Sequence, residues 1–176
     1  MYNKQGVTGL VVGLVRTLDT AALCIQAEQN IPVPTIPYST VQLLTAVHLG
    51  HDEVRITEQA APSIDYDETI EGIRELSFSV HFFKSLSLER ASKFKTLLKS
   101  SVAREYMHTA GLSLGSSTGI RNLTHVIDLG FEPRHQLDIM FRVVDSEKLT
   151  VRSIQSIEVL GTYDSGQVTD ITVTIP

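Results

Sequence analysis

Hydrophobic and polar residues alternate along this chain with two different periods. Residues 7–18 repeat apolar side chains at the i, i+3, i+4, i+7 spacing of an amphipathic helix, although Gly9 and Gly13 weaken the pattern. Residues 21–29 and 39–50 instead alternate residue by residue, as strands with one buried face do. The first part of the chain is therefore predicted to form a helix followed by two strands.

The same two-residue period returns in the second half of the chain. Residues 74–84 and 132–149 alternate strongly and are predicted to be strands. Their predicted core-facing side chains are Leu76, Phe78, Val80, Phe82, Leu137, Ile139, Phe141 and Val143. Residues 151–164 and 168–176 have the pattern of two closing strands around a turn region at 161–166.

The best helical pattern of the chain covers residues 87–111. One apolar stripe runs along it, formed by Ala91, Phe94, Leu97 and Leu98. The pair Ser100–Ser101 is predicted to break or kink this helix, and Gly111 is predicted to end it.

The order of the elements predicts an α+β fold. Runs of strands with one good helix between them indicate a mixed, mostly antiparallel sheet with one long helix and an N-terminal helix packed on it. No linker or internal repeat divides residues 1–176, so we expect one domain. Residues 48–72 are polar and interrupted by glycine and proline, which predicts an extended hairpin or a loop excursion.

Composition narrows the class of protein. The chain is 42% hydrophobic and 20% charged, as ordinary globular domains are, and its longest apolar run (9–15) is about a third of a bilayer span. Without a secretory signal pattern, we expect a cytosolic product that does not enter membranes. The net charge of −5 argues against a protein that grips nucleic acid over a broad surface, but not against one that DNA slides past. The single cysteine, Cys24, excludes a disulfide framework and is predicted to be a small buried side chain.

One segment has the pattern of a hydrolase nucleophile. Residues 115–119, GSSTG, match the G-x-S-x-G elbow with Ser117 at the centre, and Asp128 and His135 would be the candidate acid and base. The elbow requires a strand before the serine and a helix after it, but the segment that follows is a poor helix start. A flexible Gly/Ser loop is the interpretation we favour, with a small serine hydrolase as the alternative.

Neither metal ligands nor a cofactor motif are predicted. Residues 48–53, HLGHDE, contain candidate ligands, but the spacing converges poorly at a strand end, and no distant Cys/His pair completes a site. Residues 65–68, DYDE, lack the pattern of a calcium loop. The basic residues Lys93, Lys95 and Lys99 are predicted to form a solvated helix face. No phosphate-binding or dinucleotide fingerprint is present, so we expect no cofactor and no catalytic residues.

The segment between the first two predicted strands is unusually stiff. It reads NIPVPTIPYSTVQ, residues 30–42. Each proline fixes φ near −65° and removes a backbone donor, so the segment cannot pair as a central strand. We expect a polyproline-like connector, which either only orders the fold or also presents a rigid edge at an interface.

The ordered set of these segments resembles the phage neck terminator, or tail terminator-like, family. The stretch IQAEQNIPVPTIPYSTVQLL is similar to a family strand that ends near Gln-Asn and continues through P-x-P-x-x-P-Y into the next strand. FKTLLKSSVAREYMHTAGLSL, IRNLTHVID and EPRHQLDIMFRV follow in the family order, with an Arg-x-x-x-Asp strand. The matching positions are Gln29, Asn30, Pro32, Pro34, Pro37, Tyr38, Gly111, Leu112, Arg134 and Asp138.

The resemblance implies a structural protein of the virion, assembled in the host cytoplasm. Such a protein forms a ring, typically of six copies, which caps the tail tube, ends its polymerisation and joins it to the head connector while DNA passes through. The implied partners are other copies of the chain, the tail tube protein and the head connector or adaptor, with the tail sheath as a further candidate. Another neck or tail component, such as a head completion adaptor or a tube protein, is the alternative within the virion.

The candidate structural or interface residues are Asn30, Pro32, Pro34, Pro37, Tyr38, Arg134 and Asp138. Arg134 and Asp138 are four residues apart in a predicted strand, so their side chains face the same side about 13 Å from one another. They therefore cannot pair with each other. Each is expected to have a partner within the subunit or across a ring interface.

Overall fold

The computed structural model describes residues 4–27, 29, 32–59, 65–127, 130–152, 156–162 and 168–174. The first half contains α1 (Lys4–Leu18), β1 (Leu23–Gln26), β2 (Tyr38–Glu58), β3 (Tyr66–Phe83), α2 (Ser87–Leu97) and α3 (Ser101–Thr109). The second half contains β4 (Ser113–Ser117), β5 (Arg121–Asn122), β6 (His125–Ile127), β7 (Gly130–Glu132), β8 (Arg134–Val151), β9 (Ser156–Thr162) and β10 (Val168–Thr174).

The chain divides into two compact units. The first unit is Met1–Asp52 with Glu71–Ser146, and the second unit is Glu53–Ile70 with Glu147–Pro176. The expectation of one domain over residues 1–176 stays a prediction.

The main sheet has the strand order β1-β2-β3-β8-β4, and β5 also pairs with β8. Strand β1 runs parallel to β2, with Leu23 opposite Tyr38, whereas β4 and β5 run antiparallel to β8. Strands β6 with β7, and β9 with β10, form two smaller antiparallel sheets. The prediction of an α+β fold with a mixed, mostly antiparallel sheet is therefore confirmed.

One face of the main sheet forms the core of the first unit. The eight alternating side chains predicted on β3 and β8 are all buried there. Phe78 and Phe141 meet edge to face across the two strands at 6.0 Å between ring centroids, and Phe82 packs against Phe94 of α2 at 5.7 Å. Because aromatic side chains contribute strongly to core energetics, the first contact stabilises the pairing of β3 with β8 and the second holds α2 against the sheet.

Two helices replace the single long helix predicted over residues 87–111. Helix α2 ends at Leu97 and α3 begins at Ser101, so the break predicted at Ser100–Ser101 is confirmed. The Ser100 side chain accepts a hydrogen bond from the Ala103 N–H at 3.2 Å, which caps the new helix. Gly111 has φ of +66° just after α3, the left-handed conformation that glycine adopts most easily at a helix end.

In strand β1 the large apolar side chain is not the buried one. Cys24 is buried, while Leu23 is exposed. Burial raises the pKa of the Cys24 thiol to about 12. The prediction of a small buried side chain at this position is confirmed.

Strands β2 and β3 run through the polar stretch at 48–72. Strand β2 continues past Gly50, which has φ of +76°, and the Gln59 N–H donates to the Asp65 carbonyl at 3.3 Å. In the second unit, Asp67 accepts hydrogen bonds from Lys148 at 2.7 Å and from Thr150 at 2.9 Å. The bond from Lys148 is the largest of the interactions that hold the pKa of Asp67 at about 2. This carboxylate is thus occupied by protein donors.

Two glycines of α1 are expected to respond to alanine in opposite ways. No atom lies within 4 Å of a Cβ added at Gly9, so Gly9→Ala should raise the free energy of unfolding by up to about 1 kcal/mol through helix propensity. A Cβ at Gly13 would overlap the Tyr106 hydroxyl, which donates to the Leu10 carbonyl at 2.9 Å. Gly13→Ala should therefore lower the free energy of unfolding by about 1 kcal/mol or more.

Urea unfolding of the two variants measures this difference. In a Tyr106→Phe background the cost of Gly13→Ala should shrink, because the overlapping oxygen is gone. Equal effects of alanine at Gly9 and Gly13 would contradict the close packing of α1 on α3 that the Tyr106 contact shows.

Candidate interface: the proline-rich connector and the polar face of β3 and β8

The proline-rich connector lies in the first unit and ends at Pro37, because the last five residues of the segment predicted to stay unpaired, 38–42, belong to β2 and lie between β1 and β3. Pro32 is exposed and Pro34 and Pro37 are half-buried, whereas Tyr38 is buried as the first residue of β2. Asn30 lies outside the described residues. The Lys84 Nζ donates a hydrogen bond to the Thr35 carbonyl at 2.9 Å. A side chain from the end of β3 thus holds the connector at its centre.

Aromatic stacking fixes the end of the connector. The Tyr38 ring lies flat on the Phe83 ring, with centroids 4.5 Å apart and planes 4° apart. The Lys84 ammonium lies 6.0 Å from the Tyr38 centroid, and the Arg134 guanidinium lies 5.0 Å from that of Phe83. Two cations therefore flank one aromatic pair, an arrangement that contributes about 0.5–1 kcal/mol per contact at exposed sites.

A chain of hydrogen bonds continues from Arg134 along the polar face of β3 and β8. The Arg134 guanidinium donates to His81 Nδ1 at 3.3 Å, and Gln136 Nε2 donates to Ser79 Oγ at 2.7 Å and to Asp138 Oδ1 at 2.7 Å. Because a guanidinium only donates, the proton of the neutral imidazole must be on Nε2, which lies 3.2 Å from Ser79 Oγ. Arg134 and Asp138 are thus linked through three intervening side chains.

The far end of this polar chain is held by β5 and the loop before it. Asp138 forms an ion pair with Arg121, whose side chain is exposed. The Thr118 N–H donates to the Asp138 carbonyl at 2.9 Å, and the Asp138 N–H donates to Thr118 Oγ1 at 3.1 Å. Both candidate residues of β8 therefore have partners within the chain, as one of the two interpretations from the sequence anticipates.

The buried position of His81 is expected to make the stability of the protein depend on pH. Burial, together with the Arg134 guanidinium, lowers the pKa of His81 to about 4, while an unfolded histidine titrates near 6.5. Between pH 6.5 and 4 the unfolded chain binds this proton and the folded chain does not. Stability should therefore be fully present above pH 6.5 and fall as the pH drops through this window, by up to about 1.4 kcal/mol per pH unit.

The measurement is urea unfolding at several pH values for the wild type and His81→Gln. Glutamine keeps an acceptor for Arg134 but does not titrate, so its stability should change less between pH 6.5 and 4. Identical pH profiles for the two proteins would show that His81 is not the group responsible.

A second cluster joins the connector to both neighbouring helices and was not anticipated from the sequence. Arg90 of α2 donates to Asp19 Oδ2 at 2.8 and 3.0 Å and to Ser39 Oγ at 2.6 Å. It also donates to the backbone carbonyls of Tyr38 at 3.4 Å and Phe83 at 3.3 Å. The Arg90 and Asp19 side chains are only 8% and 7% exposed. This buried ion pair ties the end of α1, the start of β2 and the start of α2 together.

The sequence contains one indication that Arg90 is buried. Arg90, Phe94 and Leu98 are spaced four residues apart, so Arg90 occupies the next position of the apolar stripe on α2. A charged residue at such a position requires a buried partner. No local pattern identifies Asp19 as that partner, because it lies 71 residues away.

The described residues of the other candidate sites have local partners or settings that differ from the predicted ones. Ser117 ends β4 and is followed by β5 instead of the helix that a nucleophile elbow needs. His135 is buried and its Nδ1 lies 2.9 Å from Ser87 Oγ, and Asp128 lies outside the described residues. His48 pairs with Asp52 at 2.5 Å, and Arg74 occupies the same carboxylate.

The described residues give no indication of a metal site or of a membrane-spanning helix. Within them, no group of three or more His, Cys, Asp or Glu side chains could hold a metal ion. None of the described helices is long and apolar enough to cross a membrane.

Comparison with known proteins agrees with the resemblance seen in the sequence. No curated protein matches the chain. The family model described as phage neck terminator protein matches residues 5–169, which is nearly the whole chain. This chain therefore belongs to the phage neck terminator family.

Proposed function

We propose that this protein forms a ring at the head–tail junction of a tailed phage, where it caps the tail tube, ends its polymerisation and joins it to the head connector. The observation that carries this proposal is the match of the phage neck terminator family over residues 5–169. A protein of this junction is a structural component of the virion. Its function is then assembly, and no catalytic residue is required.

The surface of the first unit supports self-association. Large apolar side chains are exposed on the connector, at the start of α2 and on β7, where Val33, Ile36, Leu86 and Phe131 are all more than half exposed. The connector itself is stiffened by proline and held by Lys84. A rigid segment loses little conformational entropy when a partner covers it. These features suit the connector for a permanent contact between subunits.

The charge of the chain supports the passage of DNA without retention. The net charge is −5, so an assembly of several copies carries an acidic average charge. Phosphates are repelled by such a surface, whereas retention requires basic residues that release counterions. We propose that DNA moves through the ring without specific binding.

Native mass spectrometry of the purified chain, together with negative-stain images, tests the ring. The expected result is one closed species of several copies, about six, with a central hole. Open-ended tubes of the purified chain would instead indicate a tube protein. A monomer at all concentrations, alone and in the presence of tail tubes, would contradict the proposal.

A further inference from the structure

The turn between β3 and α2 holds two residues in the left-handed conformation. Lys84 has φ of +67° and Leu86 has φ of +57°. Glycine adopts this conformation without strain and asparagine or aspartate with little, whereas a longer side chain is strained in it. A residue that keeps such a conformation needs a compensating interaction, within the fold or with a partner.

The strain at Lys84 is compensated within the subunit. Its N–H donates to the Pro133 carbonyl at 2.9 Å, and its Nζ donates to the Thr35 carbonyl at 2.9 Å. The same ammonium lies 6.0 Å from the Tyr38 ring centroid. The Lys84 side chain thus joins the end of β3 to the proline-rich connector, so the fold of the first unit accounts for a lysine at this position.

No comparable contact accounts for the side chain of Leu86. It is 65% exposed, and it does not belong to the hydrophobic core of the first unit as far as the structure describes that unit. The Leu86 carbonyl accepts a hydrogen bond from the Arg90 N–H at 2.9 Å, but any residue provides this backbone oxygen. The backbone at Leu86 therefore helps to begin α2, whereas the leucine side chain contributes little to the fold.

Leucine is also an unfavourable residue for the start of a helix. Leu86 is the N-cap residue of α2, and its side chain makes no capping hydrogen bond. Polar residues are favoured at this position because their side chains accept from the free N–H groups of the first turn. Ser100 does this for α3, where it accepts from the Ala103 N–H at 3.2 Å. Leu86 thus departs from the local preference both in conformation and in capping, which is typical of positions that serve function and not the fold.

The turn presents Leu86 in a fixed place. Before it, the Phe83 carbonyl accepts a hydrogen bond from Arg90 Nη1 at 3.3 Å. After it, Ser87 Oγ lies 2.9 Å from His135 Nδ1. An exposed apolar side chain on a held backbone loses little conformational entropy when a partner covers it, and its burial removes apolar surface from water. Leu86 is therefore suited to anchor a contact with another protein.

We infer that Leu86 anchors the contact between subunits and is covered by an apolar surface of a second copy of this chain. The inference rests on the proposed function and names a residue that builds the ring. Each copy carries a net charge of −5, so charge opposes the association of two copies and apolar contacts have to drive it. Every newly folded subunit carries the strained turn, and other copies are the partner that is present whenever a subunit is.

The variant Leu86→Asn separates the contact from the fold. Because asparagine tolerates the left-handed conformation, the urea midpoint of the monomeric variant should be at or above that of the monomeric wild type. Association measured by native mass spectrometry should nevertheless weaken by at least about tenfold, the effect of losing one buried leucine side chain. A ring that forms at the same concentrations as the wild-type ring would overturn the inference.

Val102→Asn is the matched control. Val102 lies on α3 and is 53% exposed, so its replacement removes a comparable exposed apolar side chain from a position without backbone strain. This variant should associate as the wild type does. An equal loss of association in the two variants would show a general effect of apolar surface and would overturn the role of Leu86.

Thiol alkylation measures directly whether position 86 is covered. The native cysteine, Cys24, is buried, so a maleimide reacts selectively with a cysteine introduced by Leu86→Cys or by Val102→Cys. Each variant is mixed as a small fraction into wild-type protein, below and above the concentration of assembly. Assembly should reduce the alkylation rate of Leu86→Cys to a small fraction of its monomer value and leave that of Val102→Cys unchanged.

Two results of the alkylation experiment would overturn the inference. Equal rates for Leu86→Cys before and after assembly would show that no subunit covers the position. Protection that appears only after tail tubes are added would identify the tube protein, and not a second copy, as the partner.

The inference and the proposed function fail in different ways. A ring that protects position 86 but leaves the growth of tail tubes unchanged would contradict the capping function and uphold the contact. A ring that stops tube growth while position 86 stays reactive would uphold the function and overturn the contact.

Discussion

Replacement of Arg90 by leucine is expected to lower the free energy of unfolding by about 3–5 kcal/mol. The variant leaves the Asp19 carboxylate buried without its cation, and it leaves the Ser39 hydroxyl and two backbone carbonyls without their donor. Because these groups lie just after α1 and in β2 and β3, the loss loosens the junction at which the connector enters the sheet. Urea unfolding followed by circular dichroism gives the free energy directly.

A double-mutant cycle separates this loss from the net value of the ion pair. Replacing both Arg90 and Asp19 by apolar residues should lower the free energy of unfolding by less than Arg90→Leu alone does, since no unpaired charge is then left buried. Arg55→Gln is the matched control, because Arg55 pairs with Glu53 at 2.9 Å where both side chains are more than 60% exposed. That variant should leave the unfolding midpoint unchanged. An equally small effect of Arg90→Leu would contradict the structural role of the buried cluster.

Replacement of Tyr38 by alanine is expected to lower the free energy of unfolding by about 3–5 kcal/mol. This is the usual range for truncating a buried aromatic ring. The variant removes the stack on Phe83 and the surface over which Lys84 lies. Tyr38→Phe keeps the ring and should leave stability within about 0.5 kcal/mol of the wild type.

Comparison of Tyr38→Ala with the wild type also shows whether Tyr38 serves an interface or the fold of the subunit. A stable Tyr38→Ala protein that no longer assembles would show that the ring serves an interface and not the fold of the subunit. A destabilised variant, which we expect, places Tyr38 in the structure that supports the connector.

The core strands could be predicted because one of their faces is apolar and the other is polar. Phe78, Val80, Leu137 and Ile139 alternate with polar residues, since β3 and β8 each have the helices on one side and the polar hydrogen-bonded face on the other. The distal part of β2 lacks this signal. Nearly all of its side chains beyond Gly50 are exposed on both faces, so residues 51–58 are predicted to lie in a hairpin or loop excursion and yet form one continuous strand with residues 38–50.

Contacts between distant residues could not be predicted. The proline spacing indicates a stiff connector, but not that Lys84, 49 residues later, holds the Thr35 carbonyl. The apolar stripe on residues 87–111 continues across the end of α2, so periodicity alone predicts one helix. Only Ser100, whose side chain caps α3, indicates that there are two. Such features depend on which segments meet in three dimensions, and a single sequence carries no local trace of that.

We propose above all that this protein ends the growth of the tail tube. The most direct measurement is the length of tubes formed by the tail tube protein of the same phage, imaged by negative stain after the purified chain is added during assembly. The account predicts that growth stops on addition and that a ring is visible at one end of each tube. Tubes that continue to lengthen with unoccupied ends, at any ratio of the two proteins, would contradict it.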